Sequence, residues 1–325
     1  MKRLSHLITP EKITIEFCKE CIYDAAQHKT KRRTVSRILD RIDDYAMVLR
    51  TLLLNVSYQP SSYIICKIKD KPSGKERILH KPKFFPDQCI HHAMIKLIKE
   101  KLMSYFDKNC LSGIPGRGIQ KGHKILSDWI HGYRNETRYC LKCDIRKFYE
   151  HVEPEVVMRI MRKIVKDPLY LKLTEKIIYS NTSLPLGNYT SGWYANLILT
   201  ELDRFILSKT KYYLRYADDF VVFSDNKKFL HNILVDIKDI LSELKLSLKP
   251  NYQIFPVKIR GVDMLGYRYF PCYTLRRKRN SLRMMRSIRR FKKHPTEHNS
   301  MSAKSMIGQC KWFNSYHFLQ KYNLI

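Results

Sequence analysis

The apolar positions along the chain change period several times, and each change marks an element. Over the first sixty residues they recur at intervals of three and four, most clearly across 35–56, which predicts helices; a basic patch of Lys29, Lys31, Arg32 and Arg33 precedes that run. Residues 62–68 and 76–79 are short runs rich in β-branched and apolar side chains, separated by Asp70-Lys71-Pro72-Ser73-Gly74-Lys75. This predicts strand, turn, strand, with Pro72 and Gly74 supplying the turn. Helical period returns from Asp87 to Tyr105 and again from about Lys121, after a loop marked by Gly113, Pro115, Gly116 and Gly118. That loop fits neither the Gly-x-Gly-x-x-Gly nor the Walker spacing, so it is not a phosphate cradle of either kind.

The middle of the chain predicts a strand ending in Cys143-Asp144-Ile145, helices over about 153–166 and 170–180, and one long helix over about 190–208. Two strands, 211–216 and 220–224, then flank Ala217-Asp218-Asp219 as a tight hairpin with two carboxylates at its tip. A helix over about 227–244 and a short hairpin-like segment over 262–269 follow. From Arg276 to Lys293 there are ten Lys or Arg in eighteen residues and no acid. Leu282, Met285, Ile288 and Phe291 form an apolar stripe there, opposite Arg283, Arg286 and Arg290, which predicts an amphipathic helix with one cationic face. Residues 295–302 read as a loop, and an aromatic-rich helix with Trp312, Phe313, Tyr316 and Phe318 closes the chain. No internal repeat is present, which excludes a solenoid.

Charge adds the first functional constraint. Among 325 residues, 61 Lys and Arg face 30 Asp and Glu, a formal net charge of +31, so a polyanionic partner is expected. With 44% hydrophobic and 12% aromatic residues the chain can bury the core of one large or two moderate domains, which excludes a disordered chain and a disulfide-stapled miniprotein. No apolar run is long enough for a membrane span, and the opening residues lack the apolar core of a secretion signal, so a cytoplasmic protein without membrane contact is expected. Nine scattered cysteines suit reduced thiols. Cys18/Cys21 and Cys140/Cys143 have metal-like spacing, but residues three apart on a strand face opposite ways, so the second pair cannot share a zinc. All four read as small core hydrophobes.

Acidic pairs at turns are ordinarily solvated, because Asp favours turns for local hydrogen-bonding reasons. Asp218-Asp219 differs in that its flanking strands are apolar enough to be buried and the surrounding protein is strongly basic. Asp144 ends another such strand. Three Asp side chains from adjacent strands can converge on two Mg²⁺ ions about 3.5–4 Å apart, the arrangement for in-line phosphoryl displacement, and oxygen-only ligands select a hard cation.

These residues carry a specific resemblance. Tyr216-Ala217-Asp218-Asp219 resembles the catalytic motif of reverse transcriptases, and Cys143-Asp144-Ile145-Arg146-Lys147-Phe148-Tyr149 resembles their first palm motif. Lys71-Pro72 through Arg77-Ile78 to Asp87, and Ser112-Gly113 to Arg117-Gly118 with His123, resemble the fingers. Lys249 stands as in the fourth palm motif, and Leu265-Gly266-Tyr267 resembles the primer grip. The resemblance implies an α+β right-hand polymerase fold: a helical N-terminal region (1–60), fingers and palm built on an antiparallel sheet with helices (61–271), and a basic helical thumb (272–325). By the same resemblance Asp144, Asp218, Asp219 and the Ile145 carbonyl would hold two Mg²⁺ ions. Arg77 would pair with the incoming triphosphate, Tyr149 would exclude a ribose 2′-hydroxyl, and Lys249 would donate a proton to pyrophosphate. Arg283, Arg286 and Arg290 would grip the primer–template backbone. The expected substrates are an RNA template, a DNA or RNA primer and deoxynucleoside triphosphates.

Within the family, Leu186-Gly187 and Ser191 narrow the choice, because most members carry Gln-Gly there. An aliphatic residue in place of that Gln is similar to the reverse transcriptases of diversity-generating retroelements, whereas Gly192 stands where those enzymes carry Gln. The retron-associated Asn-Ala-x-x-His and Val-Thr-Gly motifs are absent. Residues 308–316 resemble the terminal helix of diversity-generating enzymes, and with about 55 residues after the primer grip no maturase or endonuclease region is expected. The subfamily resemblance implies cDNA synthesis on a template-repeat RNA, errors at template adenines (mutagenic retrohoming) and a small basic accessory variability protein. Two alternatives are an antiphage-defence or group II-like reverse transcriptase of ordinary fidelity, and an RNA-binding protein on an inactive polymerase fold.

Overall fold

The computed structural model describes residues 2–69, 74 and 76–323. In chain order its helices are α1 (Ile15–Ala26), α2 (Arg33–Asp40), α3 (Ile42–Leu54), α4 (Cys89–Tyr105), α5 (Ile119–Gly132), α6 (Phe148–His151), α7 (Pro154–Ile164), α8 (Pro168–Ile178), α9 (Tyr189–Ile198), α10 (Thr200–Lys209), α11 (Lys227–Glu243), α12 (Val257–Arg260), α13 (Lys278–Lys293), α14 (Glu297–Ile307) and α15 (Tyr316–Lys321). The strands are β1 (Ile64–Lys69), β2 (Glu76–Lys81), β3 (Tyr139–Asp144), β4 (Tyr213–Tyr216), β5 (Asp219–Ser224), β6 (Gln253–Pro256), β7 (Val262–Met264), β8 (Tyr267–Tyr269) and β9 (Thr274–Arg276). They form three sheets in which all pairs are antiparallel, with orders β1-β2, β4-β5-β3-β6 and β7-β8-β9, so the chain is α+β as expected.

The chain divides into two compact units. The first comprises the chain through Ile114 with Ile145–Arg204 and Lys238–Leu248; the second comprises Pro115–Asp144, Phe205–Ile237 and the chain from Lys249 onward.

In the first unit α1 packs on α3 and α4, α4 on α9, and α7 on α8 and α9. Their starts are legible chemistry. Thr14 caps α1 by accepting from the Phe17 N–H at 3.0 Å, and Pro154 and Pro168 open α7 and α8. Asp167 caps α8 through Tyr170 and also accepts from the Leu7 and Ile8 N–H groups, which ties the N-terminal segment to this helix. The predicted run 35–56 is two helices, because the Arg41 backbone leaves helical geometry (φ −126°, ψ 40°). Its guanidinium turns to Asp44 in the first turn of α3. The predicted long helix over 190–208 also breaks, at Leu199, next to a Thr200 hydroxyl bonded back to the Asn196 carbonyl. The expected strand–turn–strand over 62–79 is present as β1 and β2. Gly74 takes a positive φ (+69°), while Pro72 lies outside the described residues.

The second unit is organised by the four-stranded sheet. Cys140, Leu141 and Cys143 of β3 and Phe220 to Phe223 of β5 are all essentially inaccessible, so the sheet is buried on both faces. All nine cysteines are free thiols. The hairpin β7-β8 closes through Leu265 (φ +54°) and Gly266 (φ +88°), the two-residue turn that matches strand twist. A Cβ on Gly266 would stand 2.9 Å from Asn280 Nδ2, because α13 begins against this turn, with the Arg277 N–H bonded to the Gly266 carbonyl at 3.0 Å.

Three readings of the C-terminal region are corrected. Residues 295–302 are not a loop: α14 begins at Glu297, capped by Thr296, which accepts from the Asn299 N–H. On α13 the apolar stripe is rotated by one position. Met284 and Ile288 are buried with Cys310 and Tyr322, Met285 packs at their edge, and Leu282 is 40% exposed among the arginines. The terminal aromatic helix is interrupted, with a 3-10 turn (Gly308–Trp312), extended backbone at Phe313, and then α15.

Candidate active site

Strand alternation puts Lys142 and Asp144 on one face of β3. In the β3-β5 ladder Asp144 stands directly opposite Asp219, the first residue of β5. Asp218 occupies the β4-β5 turn beside Ala217, whose φ of +57° is unusual for a residue with a side chain. Arg215, fully buried on β4, donates to the Ala217 carbonyl at 3.0 Å and so braces that turn from within. The three predicted aspartates therefore meet at one end of the two central strands: two across a ladder, one in the adjoining turn.

Like charges placed directly opposite repel, and two lysines offset this. Lys249 Nζ lies 2.5 Å from Asp144 Oδ1, and the Lys249 N–H bonds the Asp144 carbonyl. Lys142 Nζ lies 3.7 Å from Asp219 Oδ2 and donates to the Asp263 carbonyl, while the Asp263 carboxylate pairs with Arg277. Burial pushes the Asp219 carboxyl up to about 6, with Asp144 and Asp218 adding to the rise and Lys142 and Arg277 opposing it. A cleft of about 250 Å³ opens here, lined by Lys142, Asp144, Asp219, Gln253, Asp263 and Arg268 among others.

The sequence reading missed Lys142, Asp263 and Arg277. Lys142 had a signal: two residues before Asp144 on a strand, it must share that face.

Among the described residues no three His, Cys, Asp or Glu side chains are gathered in ligand geometry. The donor set nevertheless suits a hard cation: Asp219 Oδ1 is buried without a hydrogen-bond partner, and its carboxylate is held among two others. Ile145 is bridged to Leu248 through the Arg146 N–H and the Asp144 carbonyl, so its own carbonyl takes no part in those two bonds.

The remaining predicted residues lie on other elements. Arg77 is exposed on β2, opposite Ile68. Leu186 and Gly187 dock on the same strand: the His80 N–H donates to the Leu186 carbonyl at 2.8 Å, and Gly187 (φ +134°) lies so near that an added Cβ would be 2.3 Å from the His80 carbonyl oxygen. Only glycine fits there. The same loop is held by Ser191, whose hydroxyl donates to the Pro185 carbonyl at 2.8 Å. Tyr149 is half-buried on α6 with its ring edge-on to Phe148 at 5.5 Å. Arg283, Arg286 and Arg290 are exposed on α13, as predicted from their spacing.

Comparison with known proteins identifies the family. The family model for reverse transcriptase (RNA-dependent DNA polymerase) matches residues 68–269. The chain is 25% identical over 238 residues to a Retron Ec73 reverse transcriptase from Escherichia coli, covering 66% of this chain and 71% of that protein. Among solved structures it is similar to telomerase from Candida albicans, in complex with a fragment of telomeric RNA. The TM-score is 0.50 at 9% identity, over 81% of this chain and 57% of that one, a likeness of fold. Apo telomerase from Candida tropicalis aligns with a TM-score of 0.47 at 11% identity, over 67% of this chain and 49% of that one. With a family match that spans most of the chain and includes the three aspartates, the protein belongs to the reverse transcriptases, the RNA-dependent DNA polymerases.

Proposed function

We propose that the protein extends a primer 3′-hydroxyl with deoxynucleotides on an RNA template, by nucleotidyl transfer at Asp144, Asp218 and Asp219. The observation that carries this reading is the pairing of Asp144 with Asp219 across the ladder, beside Asp218 and around a buried, unpartnered carboxylate oxygen. The three carboxylates, with the Ile145 carbonyl, would hold two Mg²⁺ ions. Such ions supply charge neutralisation at the reacting phosphate and lower the pKa of the attacking hydroxyl.

The protein's own part is positional. Arg77 pairs with the triphosphate, Tyr149 closes the space a 2′-hydroxyl would fill, and the exposed arginines of α13 hold the nucleic-acid backbone without reading sequence. Lys249 serves first as the counter-charge of Asp144. In the reaction the Lys249 ammonium would donate a proton to the departing pyrophosphate.

Leu186 supports the finer reading, a mutagenic enzyme of the diversity-generating type that copies a template-repeat RNA with a small basic accessory protein. An aliphatic wall cannot hydrogen-bond to a base pair as an amide would, so pairing geometry is checked less strictly, which by the resemblance to the diversity-generating type would appear as errors at template adenines. The retron relative favours a second reading, a retron-type enzyme of ordinary fidelity. Primer extension on a defined RNA, followed by sequencing of the cDNA, tests both levels. Asp144→Asn should abolish incorporation while RNA binding persists, and full activity in that variant would refute the site. Errors concentrated at template adenines and reduced by Leu186→Gln support the mutagenic reading, whereas errors spread evenly over the four bases support the retron-type one.

A further inference from the structure

A lysine on an interior strand of a sheet needs a reason, because its ammonium loses water there and must find partners. Lys142 stands on β3, opposite Val221 of β5 on one side and Gln253 of β6 on the other, between the buried Leu141 and Cys143. Its own side chain is 25% exposed. Neutralising the aspartates does not account for its placement. Lys249 touches Asp144 at 2.5 Å, as a counter-charge should, whereas Lys142 stays 3.7 Å from Asp219 Oδ2, beyond hydrogen-bond reach. The hydrogen bond of the Lys142 ammonium goes instead to the Asp263 carbonyl, on a strand of another sheet.

Asp263 is well held. It is the middle residue of β7, and its neighbours Val262 and Met264 are buried on the opposite face, which fixes the strand. Arg277 grips it twice, with Nε paired to the carboxylate and Nη2 donating to the carbonyl at 3.5 Å. The N–H of the same arginine bonds the Gly266 carbonyl at 3.0 Å, and Asn280 Nδ2 donates to that carbonyl at 3.3 Å, so the β7-β8 turn is held from the same side. The next residue, Lys278, begins α13. A continuous line of polar contacts therefore runs from Asp219 through Lys142, Asp263 and Arg277 to α13, all of it within the second unit.

We propose that Lys142 is a positioning residue for the reaction, a strut that sets Asp219 at a fixed distance from the β7-β8 hairpin, with Asp263 as its footing and Arg277 as the tie from that footing to α13. The inference rests on the nucleotidyl-transfer reading, in which Asp219 serves the reacting phosphate and α13 holds the nucleic acid. Misplacing a reacting group by about 1 Å can slow a reaction about 100-fold, so a rigid spacer between the carboxylate and the substrate-holding helix has a large effect. The bond to Asp263 does not involve Asp219, so a cation entering among the carboxylates can replace the 3.7 Å ion pair and leave the strut standing. Strut and counter-charge differ in sign. Removing a counter-charge only frees the carboxylate for a cation, whereas removing a strut also misplaces it.

The test uses the full chain. Lys142→Met keeps the stem and removes the ammonium, and Lys142→Arg keeps the charge and the donors. Mn²⁺ binding to the protein without nucleic acid is read from the electron paramagnetic resonance of the free ion. Lys142→Met should bind Mn²⁺ about tenfold more tightly, because a positive charge has left the carboxylates, yet extend a saturating primer–template about tenfold more slowly in a single turnover. Hydrogen exchange at the Arg277 amide should quicken, while primer–template affinity stays near the parent's, since the arginines of α13 are untouched. Lys142→Arg should restore the Arg277 protection and most of the rate. Arg277→Met should also slow extension, and the double variant Lys142→Met/Arg277→Met should be no slower than the worse single one, because both act through one footing. Tighter Mn²⁺ binding with an undiminished rate would reduce Lys142 to a counter-charge and overturn the proposal. Unchanged exchange at Arg277 in Lys142→Met, or rate losses that multiply in the double variant, would do the same. If Lys142→Met fails to fold, Lys142→Arg and Arg277→Met carry the test, and a parental rate in Arg277→Met overturns the strut. A parent that never extends primers refutes the polymerase reading, and Mn²⁺ affinity with Arg277 exchange then still decides whether Lys142 holds the hairpin.

Discussion

Replacing Gly187 by alanine should detach the loop that carries Leu186 from strand β2. At φ +134° an alanine is strained whatever the space, at a cost of about 1–3 kcal/mol. The space is also absent, since the new Cβ would lie 2.3 Å from the His80 carbonyl oxygen and 3.0 Å from its carbon. Relief requires the loop to move away, which forfeits the 2.8 Å bond from the His80 N–H to the Leu186 carbonyl, worth about 1 kcal/mol. Together these shift the docked loop by about 2–4 kcal/mol, or roughly 30- to 700-fold in its equilibrium. Hydrogen exchange at the His80 amide reads this directly, and protection there should fall by that factor. If Leu186 and Gly187 line the nucleotide site as proposed, the nucleotide KM should rise as well. Gly192→Ala is the control: in the middle of α9, with nothing within 4 Å of the added Cβ, it should stabilise the helix by about 1 kcal/mol. His80 protection retained in Gly187→Ala would refute the reasoning.

Three further outcomes are expected. Tyr149→Ala should raise the ratio of ribonucleotide to deoxynucleotide incorporation on a fixed template, and an unchanged ratio would transfer the gate to another residue, Phe148 first. Changing Arg283, Arg286 and Arg290 together to Gln should reduce the salt slope of primer–template binding by roughly two to three units, one phosphate each, while single-turnover extension from a bound primer changes little. Burial lowers the His91 pKa to about 4, against an ordinary 6.5, so the unfolded chain takes up the proton first. Stability from this group is complete above about pH 6.5 and is lost as pH falls towards 4, by about 3 kcal/mol in all. Denaturant unfolding should therefore show a shallower loss between pH 6.5 and 4 in His91→Leu than in the parent. Asp219, raised to about 6, contributes the opposite slope in both proteins, and identical profiles would refute the assignment to His91.

What could be read from the residues depended on whether a pattern was local. The β4-β5 hairpin was legible because two apolar runs flank a two-residue turn, and Asp144 because it ends a strand of the same kind. Lys142 was not singled out: it is one of 61 basic residues, and only the ladder register brings it to Asp219. On α13 the periodicity identified the helix but not its rotation, because Leu282 and Met284 are equally apolar. Packing against Cys310 and Tyr322, distant in sequence, decided between them. The breaks at Arg41 and Leu199 were invisible to hydrophobic period, since the apolar positions continue through both. The start of α14 had a local signal in Thr296 that the surrounding polar composition masked.

The lysines beside Asp144 and Asp219 make the carboxylate cluster resemble an ion-exchange resin supplied in its ammonium form. Tethered by their own chain, Lys249 and Lys142 stand beside the carboxylates as an intramolecular counter-charge that a dissolved monovalent ion would have to displace with no gain in charge. A divalent ion brings twice the charge into the same volume and can displace them. On the proposed two-metal reading, charge density would filter which ions enter before ligand geometry is considered, while Lys249 and Lys142 already offset part of the repulsion among the carboxylates.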